Sequence, residues 1–272
     1  MPTTTQTHCR TDTSAPVMRK GPLAGLRVID AGNMIAGPLA ATQMADFGAD
    51  VIKLELPGSG DSMRHWTPMK EGLSLWWKVI ARNKRLITLT LSNPRGQELF
   101  RELVKTADVL IENYRPGTFE RWGLGYEELA KINPRLVMVR VSGFGQTGPY
   151  AKRGGYGTIA EAFSGIPSFT GTPDRPPTLP GFPMADSVAS TFAAMSAMFA
   201  IYNRDHGNGR GQEIDVSLYE PLFRLVESQV IGFDQLGIVK QRLGNRLAED
   251  SPRNTYAVSY THLRAHETKA NL

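Results

Sequence analysis

Short apolar segments alternate with amphipathic segments along the first half of the chain. LRVIDAG at residues 26–32 has the pattern of a strand, GPLAATQMADFGA at 37–49 that of a helix, and DVIKLE at 50–55 that of a second strand. Strand patterns separated by helix patterns are typical of β–α–β units, whose strands pair in parallel under a cover of helices. The sequence therefore predicts an α/β fold built on a parallel sheet.

The same alternation continues beyond residue 80. PRGQELFRELVKT at 94–106 predicts a helix with Asn93 as its cap and Pro94 in its first turn. A second helix is predicted around residues 119–131. Three further strands are predicted from KRLITLTL (84–91), VLIENY (109–114) and RLVMVRVSGF (135–144).

The composition changes between residues 143 and 183, where Gly, Pro, Ser and Thr predict long loops of the kind that often serve function. The next segment, ADSVASTFAAMSAMFAIY, is apolar or small on nearly all sides and predicts a buried helix with Asp186 or Ser187 at its N-cap. EIDV predicts a strand. SLYE predicts the start of another helix, with Ser217 and Glu220 forming a capping box.

Both ends of the chain lack a hydrophobic period. Residues 1–21 are rich in Thr and are predicted to be a disordered leader. At the other end, residues 258–268 equal the translation of a common transposase sequencing adapter, and the continuation of that adapter accounts for the final KANL. Residues 258–272 are therefore interpreted as adapter-derived and non-native, and the chain as truncated at its C-terminus.

The bulk composition is that of a soluble protein, with 41% hydrophobic and 21% charged residues. No apolar run approaches the roughly 20 residues that span a bilayer, so no membrane segment is expected. We expect a cytoplasmic location. The net charge of +5 is modest and is spread among acidic residues, which argues against nucleic acid as a partner.

Few residues are available for thiol or imidazole chemistry. The single cysteine, Cys9, lies in the leader, and only His65 and His206 lie outside the leader and the tail. A disulfide, a thiol nucleophile, a histidine metal site and a Ser-His-Asp arrangement are therefore not expected. Catalysis would have to use carboxylates, hydroxyls, lysines or backbone N–H groups.

The string GFGQTG follows a predicted strand and matches G-x-G-x-x-G at Gly143, Gly145 and Gly148. Pro149 prevents the helix that a dinucleotide-binding loop must open, so a nicotinamide site is not predicted. Two interpretations stay open. The segment is either an ordinary glycine loop or a flexible loop whose N–H groups face an oxyanion.

Asp186 also has two interpretations on the residues alone. An Asp ahead of a buried helix is commonly a structural cap. The partial positive charge at a helix N-terminus also keeps a carboxylate ionised, and an ionised carboxylate in a partly desolvated cleft is a competent nucleophile.

Several stretches, in this order and spacing, resemble the class III CoA-transferases of the formyl-CoA and carnitine (CaiB/BaiF) type. The resemblance runs from about residue 22 to residue 257. The matching stretches are PLAGLRVIDAG, AGPLAATQMADFGADVIKLELPGSGDSMR, RNKRLITLTLSNPRG, DVLIENYRPGTFERWGLGYEEL, NPRLVMVRVSGFGQTGPYAKRGGY, PMADSVAS and GRGQEIDVSL.

This resemblance implies a Rossmann-like large domain at residues 22–217 and the linker and start of a smaller second domain at 218–257. It implies an interlinked homodimer for the full-length protein. It also implies transfer of coenzyme A from an acyl-CoA to a small carboxylic acid through aspartyl anhydride and thioester intermediates. The CoA thioester is then a substrate, and no permanently bound cofactor or metal is expected.

The resemblance carries over to individual positions. Asp186 matches the catalytic aspartate of the family. Leu89, Asn113, Tyr114 and Arg121 match positions that contact CoA. Supporting positions are Arg64, Gly143, Gly145 and Tyr156.

Four positions depart from the formyl-CoA transferase pattern: Ile35, Leu56, Ser92 and Ser142. Oxalate is therefore not expected as the acceptor. The related α-methylacyl-CoA racemases place a histidine where this chain has Tyr156, and a phenol is a poor partner for exchange of an α-proton at neutral pH. A racemase-like enzyme and a catalytically idle CoA-binding module stay as alternatives, and the residues do not identify the acyl donor or the acceptor acid.

Overall fold

A computed structural model of the protein describes residues 20–248, 254–257 and 263–265. The predicted leader, residues 1–21, and the predicted adapter segment, residues 258–272, therefore lie almost entirely outside the described residues. Within the adapter segment, residues 263–265 form a short strand that pairs antiparallel with residues 255–257. The adapter origin stays a prediction, as do the domain boundaries at residues 217 and 257.

Six parallel strands form one sheet, in the order β5-β2-β1-β6-β7-β8. Ranked along the chain, these strands read 3-2-1-4-5-6, the order of the doubly wound Rossmann fold, so the predicted α/β fold is confirmed. A small antiparallel hairpin, β3 (Met69–Lys70) and β4 (Leu73–Ser74), stands apart from it. The sheet consists of β1 (Arg27–Asp30), β2 (Asp50–Glu55), β5 (Lys84–Thr88), β6 (Val109–Glu112), β7 (Val137–Ser142) and β8 (Glu213–Ser217).

Helices cover both faces of the sheet. Alternate strand residues point to opposite faces, so Val28 packs in one core with α1 and α7 while Ile29 packs in the other with α3 and α5. Two single-turn 3₁₀ helices lie at Ser62–His65 and Ile166–Phe169. The α-helices are α1 (Ala36–Asp46), α2 (Leu75–Ala81), α3 (Pro94–Val104), α4 (Thr118–Arg121), α5 (Tyr126–Ile132), α6 (Gly157–Phe163), α7 (Met184–His206) and α8 (Glu220–Leu236).

The predicted helix ends agree with the structure in two places and disagree in one. Asn93 caps α3 by accepting a hydrogen bond from the N–H of Arg95 at 2.8 Å, as expected. Ser217 and Glu220 pair as expected, since the Ser217 hydroxyl donates to Glu220 Oε2 at 2.8 Å and accepts from its N–H at 3.1 Å, although α8 begins at Glu220 and its N-cap is Tyr219. The single helix predicted around 119–131 is wrong: it is two short helices, separated at Gly123, which has a φ of 64°.

Helix α7 differs from its prediction in two respects. It begins at Met184 after Pro183, so Asp186 lies inside its first turn and neither Asp186 nor Ser187 is the N-cap. Its 23 residues are also long and apolar enough, by length and composition alone, to span a membrane, contrary to the expectation from the sequence. The helix nevertheless packs against α1 and the sheet through Ala185, Ala189 and other small residues, which is the position of a core helix.

A buried ion network fixes the loops that follow β1 and β2. Lys53 is fully buried; its Nζ donates to the carbonyl of Gly32 at 2.7 Å and lies 3.0 Å from Asp61 Oδ2. Asp61 Oδ1 in turn accepts from the N–H of Met34 at 3.3 Å. The Asp of the GSGD stretch thus ties the loop after β2 to the loop after β1, and Lys53 neutralises it.

Replacing Lys53 by Met should leave the buried Asp61 carboxylate without its cation. Because an unpaired buried charge is costly, we expect Lys53→Met to lower the free energy of unfolding by about 3–5 kcal/mol, measured by denaturant titration. The matched control is Lys105→Met, which removes an exposed partner of Glu102 and should change stability by less than about 0.5 kcal/mol. Equal effects of the two variants would contradict a structural role for the buried pair.

Candidate active site

A cavity of about 510 Å³ lies at the carboxyl ends of β1, β6 and β7. In doubly wound sheets this edge binds ligands where the strand order reverses, which here is between β1 and β6. The residues that line the cavity include Asn33, Ile35, Trp66, Trp76, Asn113, Ser142, Gly143, Tyr156, Gly157, Glu161, Phe182 and Asp186.

The carboxylate of Asp186 enters this cavity from the first turn of α7. It lies directly against Gly157, the first residue of α6: a Cβ atom at that position would come within 2.4 Å of Asp186 Oδ2. No real Cβ tolerates such a distance. Glycine at position 157 is therefore required for Asp186 to point where it does.

Burial raises the pKa of Asp186 to about 6. A hydrogen bond from its own N–H acts in the opposite direction, and the negative charge of Glu161 raises the pKa further. Desolvation therefore outweighs the helix N-terminus that was expected to favour the charged form. The carboxylate is still mostly ionised at neutral pH, and it is more basic than an ordinary aspartate.

Glu161 is a second carboxylate in the same cavity. Its side chain is 4% exposed, and its Oε1 accepts from the N–H of Ala185 at 3.2 Å. Gly157 and Glu161 are four residues apart on α6 and so share one face of the helix, which contacts the first turn of α7 at Asp186 and Ala185.

Asn33 and Asn113 join the loops after β1 and β6. The N–H of Asn33 donates to Asn113 Oδ1 at 2.7 Å, and Asn113 Nδ2 donates to the carbonyl of Asn33 at 2.8 Å. Asn33 also lines a second cavity of about 220 Å³, whose walls include Leu89 and Tyr114. The loop after β1 thus separates two adjoining cavities at one edge of the sheet.

Tyr114 is held in the second cavity by its own backbone. Its N–H donates to Glu112 Oε2 at 2.6 Å, and Glu112 Oε1 accepts from Arg140 Nε at 2.7 Å. The Tyr114 ring packs edge-on against Trp122, 5.2 Å between centroids. The position of this ring is therefore set by a buried ion pair below it and an aromatic neighbour beside it.

Six of the predicted site residues line the two cavities. Asn113, Gly143, Tyr156 and Asp186 line the larger one, and Leu89 and Tyr114 line the smaller one.

Three predicted residues line neither cavity. Arg64 forms a bidentate pair with Glu55 at 2.6 and 2.7 Å, and Arg121 Nη2 donates to Thr118 Oγ1 at 2.9 Å. Gly145, with a φ of 86°, lies at a bend where the next N–H donates to Asp215 at 2.7 Å. That N–H is therefore occupied, and the position of Gly145 gives no support to a role beside an oxyanion. No helix follows this loop before Gly157, as Pro149 led us to expect.

Comparison with known proteins assigns the chain to a family. A sequence model described as CoA-transferase family III matches residues 23–268. The chain belongs to this family. The succinyl-CoA–D-citramalate CoA-transferase of Chloroflexus aurantiacus is 49% identical over 236 residues, which cover 86% of this chain and 58% of that protein. The succinate–glutarate CoA-transferase of Agrobacterium fabrum is 40% identical over 86% of this chain and 60% of that protein.

A solved structure of the family has the same fold. The CaiB/BaiF family protein of Brucella suis superposes with a TM-score of 0.82 at 37% identity, covering 88% of this chain and 64% of that one. The chain thus spans less than two thirds of the length of the family members named here.

The positions that depart from the formyl-CoA transferase pattern all face the two cavities. Ile35 and Ser142 line the larger cavity, while Leu56 and Ser92 line the smaller one. The Ser142 hydroxyl is buried and has no hydrogen-bond partner within the part of the chain that the structure describes. These differences within the family therefore lie where a bound ligand would contact them.

Sequence reasoning missed Gly157 and Glu161. A signal was present in YGTIAEAFSG, where Gly157 follows Tyr156 and Glu161 is the one charged residue in a segment of small and apolar residues. It also missed Trp66 and Trp76, which stack 5.9 Å apart at the cavity wall. Over the described ranges 20–248, 254–257 and 263–265, no three His, Cys, Asp or Glu side chains are grouped as metal ligands would be.

The raised pKa of Asp186 predicts a stability cost for its charge. The folded-state pKa of about 6 exceeds the ordinary 3.8, so the native state binds the proton of Asp186 more tightly than the unfolded state does. The stability that this proton contributes is fully present below about pH 4 and is lost as the pH rises through 6. Asp186→Asn should therefore raise the free energy of unfolding by about 2–3 kcal/mol at pH 7.5, and the gain should vanish below about pH 4.

Thermal unfolding of the two proteins between pH 3.5 and 8 measures this difference. The control is Asp174→Asn, at a carboxylate whose side chain is 76% exposed, which should leave the profile unchanged. A destabilised Asn variant at pH 7.5 would show that Asp186 serves the fold.

Proposed function

We propose that the full-length protein transfers coenzyme A from an acyl-CoA donor to a small carboxylic acid, with Asp186 as the carboxylate that carries the acyl group. The observation that best supports this proposal is the position of Asp186. A raised-pKa carboxylate faces a ligand-sized cavity in a chain that belongs to the family III CoA-transferases. Several relatives are named for transfer of CoA between succinate and another acid, which supports the same class of donor and acceptor here.

The first step is attack of an Asp186 oxygen on the thioester carbonyl carbon. The carbon–sulfur bond breaks, the CoA thiolate leaves, and Asp186 becomes the acyl anhydride. A more basic carboxylate is a better nucleophile, and the raised pKa supplies this while most of the group stays ionised at pH 7. No proton is transferred, so the shortage of histidines does not impede the reaction.

The second step passes activation to the acceptor. The CoA thiolate attacks the Asp186 carbonyl of the anhydride, which releases the donor acid and forms an aspartyl–CoA thioester. The acceptor carboxylate attacks this thioester, which releases the thiolate and forms a second anhydride. The thiolate then attacks the acceptor's carbonyl carbon, which gives the new acyl-CoA and restores the Asp186 carboxylate. Water would hydrolyse each of these species. The aromatic wall of Trp66 and Trp76 and the adjoining Phe182 make the cavity mostly apolar, which favours exclusion of water.

The smaller cavity suits the CoA part of the substrate. Leu89 and Tyr114 line it with the apolar ring of Trp122, and it adjoins the larger cavity at Asn33. We assign these two residues and Asn113 to CoA binding. Arg121, next to Gly117 at the start of α4, is kept as a CoA contact on the resemblance alone.

Tyr156 bears on the racemase alternative. It lines the cavity and is 66% exposed, and within residues 20–248 no hydrogen bond of its side chain holds it in a geometry suited to proton exchange. We therefore keep CoA transfer as the proposed activity. Racemisation, or CoA binding without catalysis, would appear as other outcomes of the tests below.

Exposed apolar side chains on α8 support the proposed dimer. Ile231, Phe233 and Leu236 are each more than 60% exposed, and further apolar residues follow at 238 and 239. A surface of this kind is typical of a protein interface. We therefore retain the interlinked homodimer and the cytoplasmic location as proposals for the full-length protein.

Asp186→Asn tests the proposed nucleophile in the full-length enzyme. The variant keeps the shape of the side chain but cannot form the anhydride, so CoA transfer should fall by at least about a thousandfold while acyl-CoA binding persists. Transfer is measured by mass analysis of acyl-CoA products over a panel of donors and acids. Borohydride trapping of the wild-type enzyme with donor should modify Asp186.

Each other result has a definite meaning. Near-normal transfer by the Asn variant, or trapping at another carboxylate, would end the assignment. Exchange of an α-proton with deuterated solvent at the rate of acyl exchange would favour the racemase. Binding of CoA esters by the wild-type protein without any product would favour the idle module.

Gly157→Ala tests the contact between Gly157 and the Asp186 carboxylate, which sets the orientation of the proposed nucleophile. The added Cβ must displace the Asp186 carboxylate, so we expect transfer to fall by about a hundredfold with little change in CoA binding. The matched control is Gly232→Ala in α8, where a Cβ meets nothing within 4 Å and should leave transfer unchanged. Full activity of the Gly157 variant would contradict the close contact.

A further inference from the structure

Glu161 is a buried acidic side chain that the packing alone does not require. Its Oε1 accepts from the N–H of Ala185 at 3.2 Å, and within residues 20–248 no Lys, Arg or His is paired with it. A buried carboxylate without a cation is unfavourable. A glutamine would satisfy the same N–H at nearly the same volume, so the charge itself needs an explanation.

The geometry places this charge against one group in particular. Gly157 and Glu161 lie on one face of α6; Gly157 touches Asp186 Oδ2, and Glu161 holds the N–H of Ala185, one residue earlier in the same turn of α7. Both carboxylates line the same cavity, and none of the residues that line it is Lys or Arg. Nothing along the described cavity wall neutralises the pair.

We propose that Glu161 is a positioning residue for the acylation of Asp186: it fixes the first turn of α7 and, by like-charge repulsion, destabilises the free Asp186 carboxylate relative to its acylated form. This inference rests on the proposed function.

The charge balance of the step explains the benefit. Attack by Asp186 forms a carbon–oxygen bond and breaks the carbon–sulfur bond, so the negative charge moves from the aspartate oxygen to the departing CoA sulfur. Asp186 is then neutral, and its repulsion by Glu161 disappears. The repulsion is therefore present before the reaction and relieved during it, which favours acylation.

Other titratable groups around α6 do not share this position. Tyr156 precedes the helix, and Tyr150 and Tyr219 contact Phe163 at its other end. The 3₁₀ helix Ile166–Phe169 packs against α6 and has no titratable side chain. Glu161 is thus the acidic neighbour that acts on Asp186, and it is one of the causes that raise the pKa of Asp186.

Glu161→Gln in the full-length enzyme separates the charge from the hydrogen bond. We expect the variant to fold and bind acyl-CoA normally, and its single-turnover release of CoA thiol at pH 7.5 to be about tenfold slower. The pH at which this rate is half-maximal should move to lower values. Because more of Asp186 is then ionised in acid, the gap between variant and wild type should narrow as the pH falls toward 5.

Two further variants define the control and the charge requirement. Glu161→Asp keeps the charge and should retain the wild-type pH profile even where its rate is lower. Glu98→Gln, at a side chain that is 59% exposed, should leave both rate and profile unchanged. A slower Glu161→Gln enzyme with an unmoved profile, or one equal to wild type in both, would overturn the proposal.

A direct titration distinguishes failure of this inference from failure of the proposed function. Carbon-13 NMR of aspartate-labelled protein, with Asp186→Asn to assign the signal, reports the titration of Asp186 without any substrate. A lower midpoint in Glu161→Gln supports the electrostatic coupling even if no acyl transfer is found. An unchanged titration midpoint of Asp186 in Glu161→Gln would contradict the electrostatic coupling even if the wild-type enzyme transfers CoA.

Discussion

The contact between the Asp186 carboxylate and the backbone of Gly157 is the constraint on which the site depends. The first turn of α7 can approach the start of α6 this closely only because position 157 has no side chain. That approach partly desolvates the carboxylate and so raises its pKa. The packing of the two helix ends against each other thus determines both the position and the raised pKa of the Asp186 carboxylate.

The loops opposite Asp186 are held by a different interaction. Lys53 and Asp61 lie in the interior, and the hydrogen bonds that they make fix the loop after β1 near Gly32 and Met34. The paired amides of Asn33 and Asn113 then bind that loop to the one after β6. A buried polar network of this kind tolerates little change because each group depends on its partner. The two cavities therefore have a stiff common wall on which a ligand's orientation could rely.

The sequence predicted the sheet and most of its helices because strand and helix periods are local patterns. It failed where a tertiary contact decides the outcome. Asp186 reads as an N-cap in the sequence, yet Pro183 begins the helix earlier, and burial reverses the expected electrostatics. The 119–131 segment has a continuous helical pattern, but Gly123 takes a positive φ and divides it.

The same distinction applies to the site. The family resemblance identified Asp186, Leu89 and Tyr114, since their neighbours along the chain form recognisable motifs. It gave no indication of Gly157, whose importance is that any Cβ at this position would come within 2.4 Å of Asp186 Oδ2, on a residue 29 positions later. Gly145 was selected from a motif as well, but it lines neither cavity, and the N–H that follows it donates to Asp215. A motif reports which residues recur together, and only the fold shows which of them meet.

Different parts of the site would carry out acyl transfer and select the acceptor acid. The position of Asp186, the proposed nucleophile, depends on the packing of the α6 backbone against the first turn of α7. The positions that differ from the formyl-CoA transferase pattern, Ile35 and Ser142 among them, are side chains at strand ends that line the cavities without supporting Asp186. Changes there can alter which acid fits without altering how the carboxylate is aimed. Relatives of this chain are named for different acids, among them citramalate, malate, oxalate and glutarate. Under the proposed function, the side chains that select the acceptor would lie at the carboxyl ends of β1 and β7, apart from the helix ends that carry Asp186.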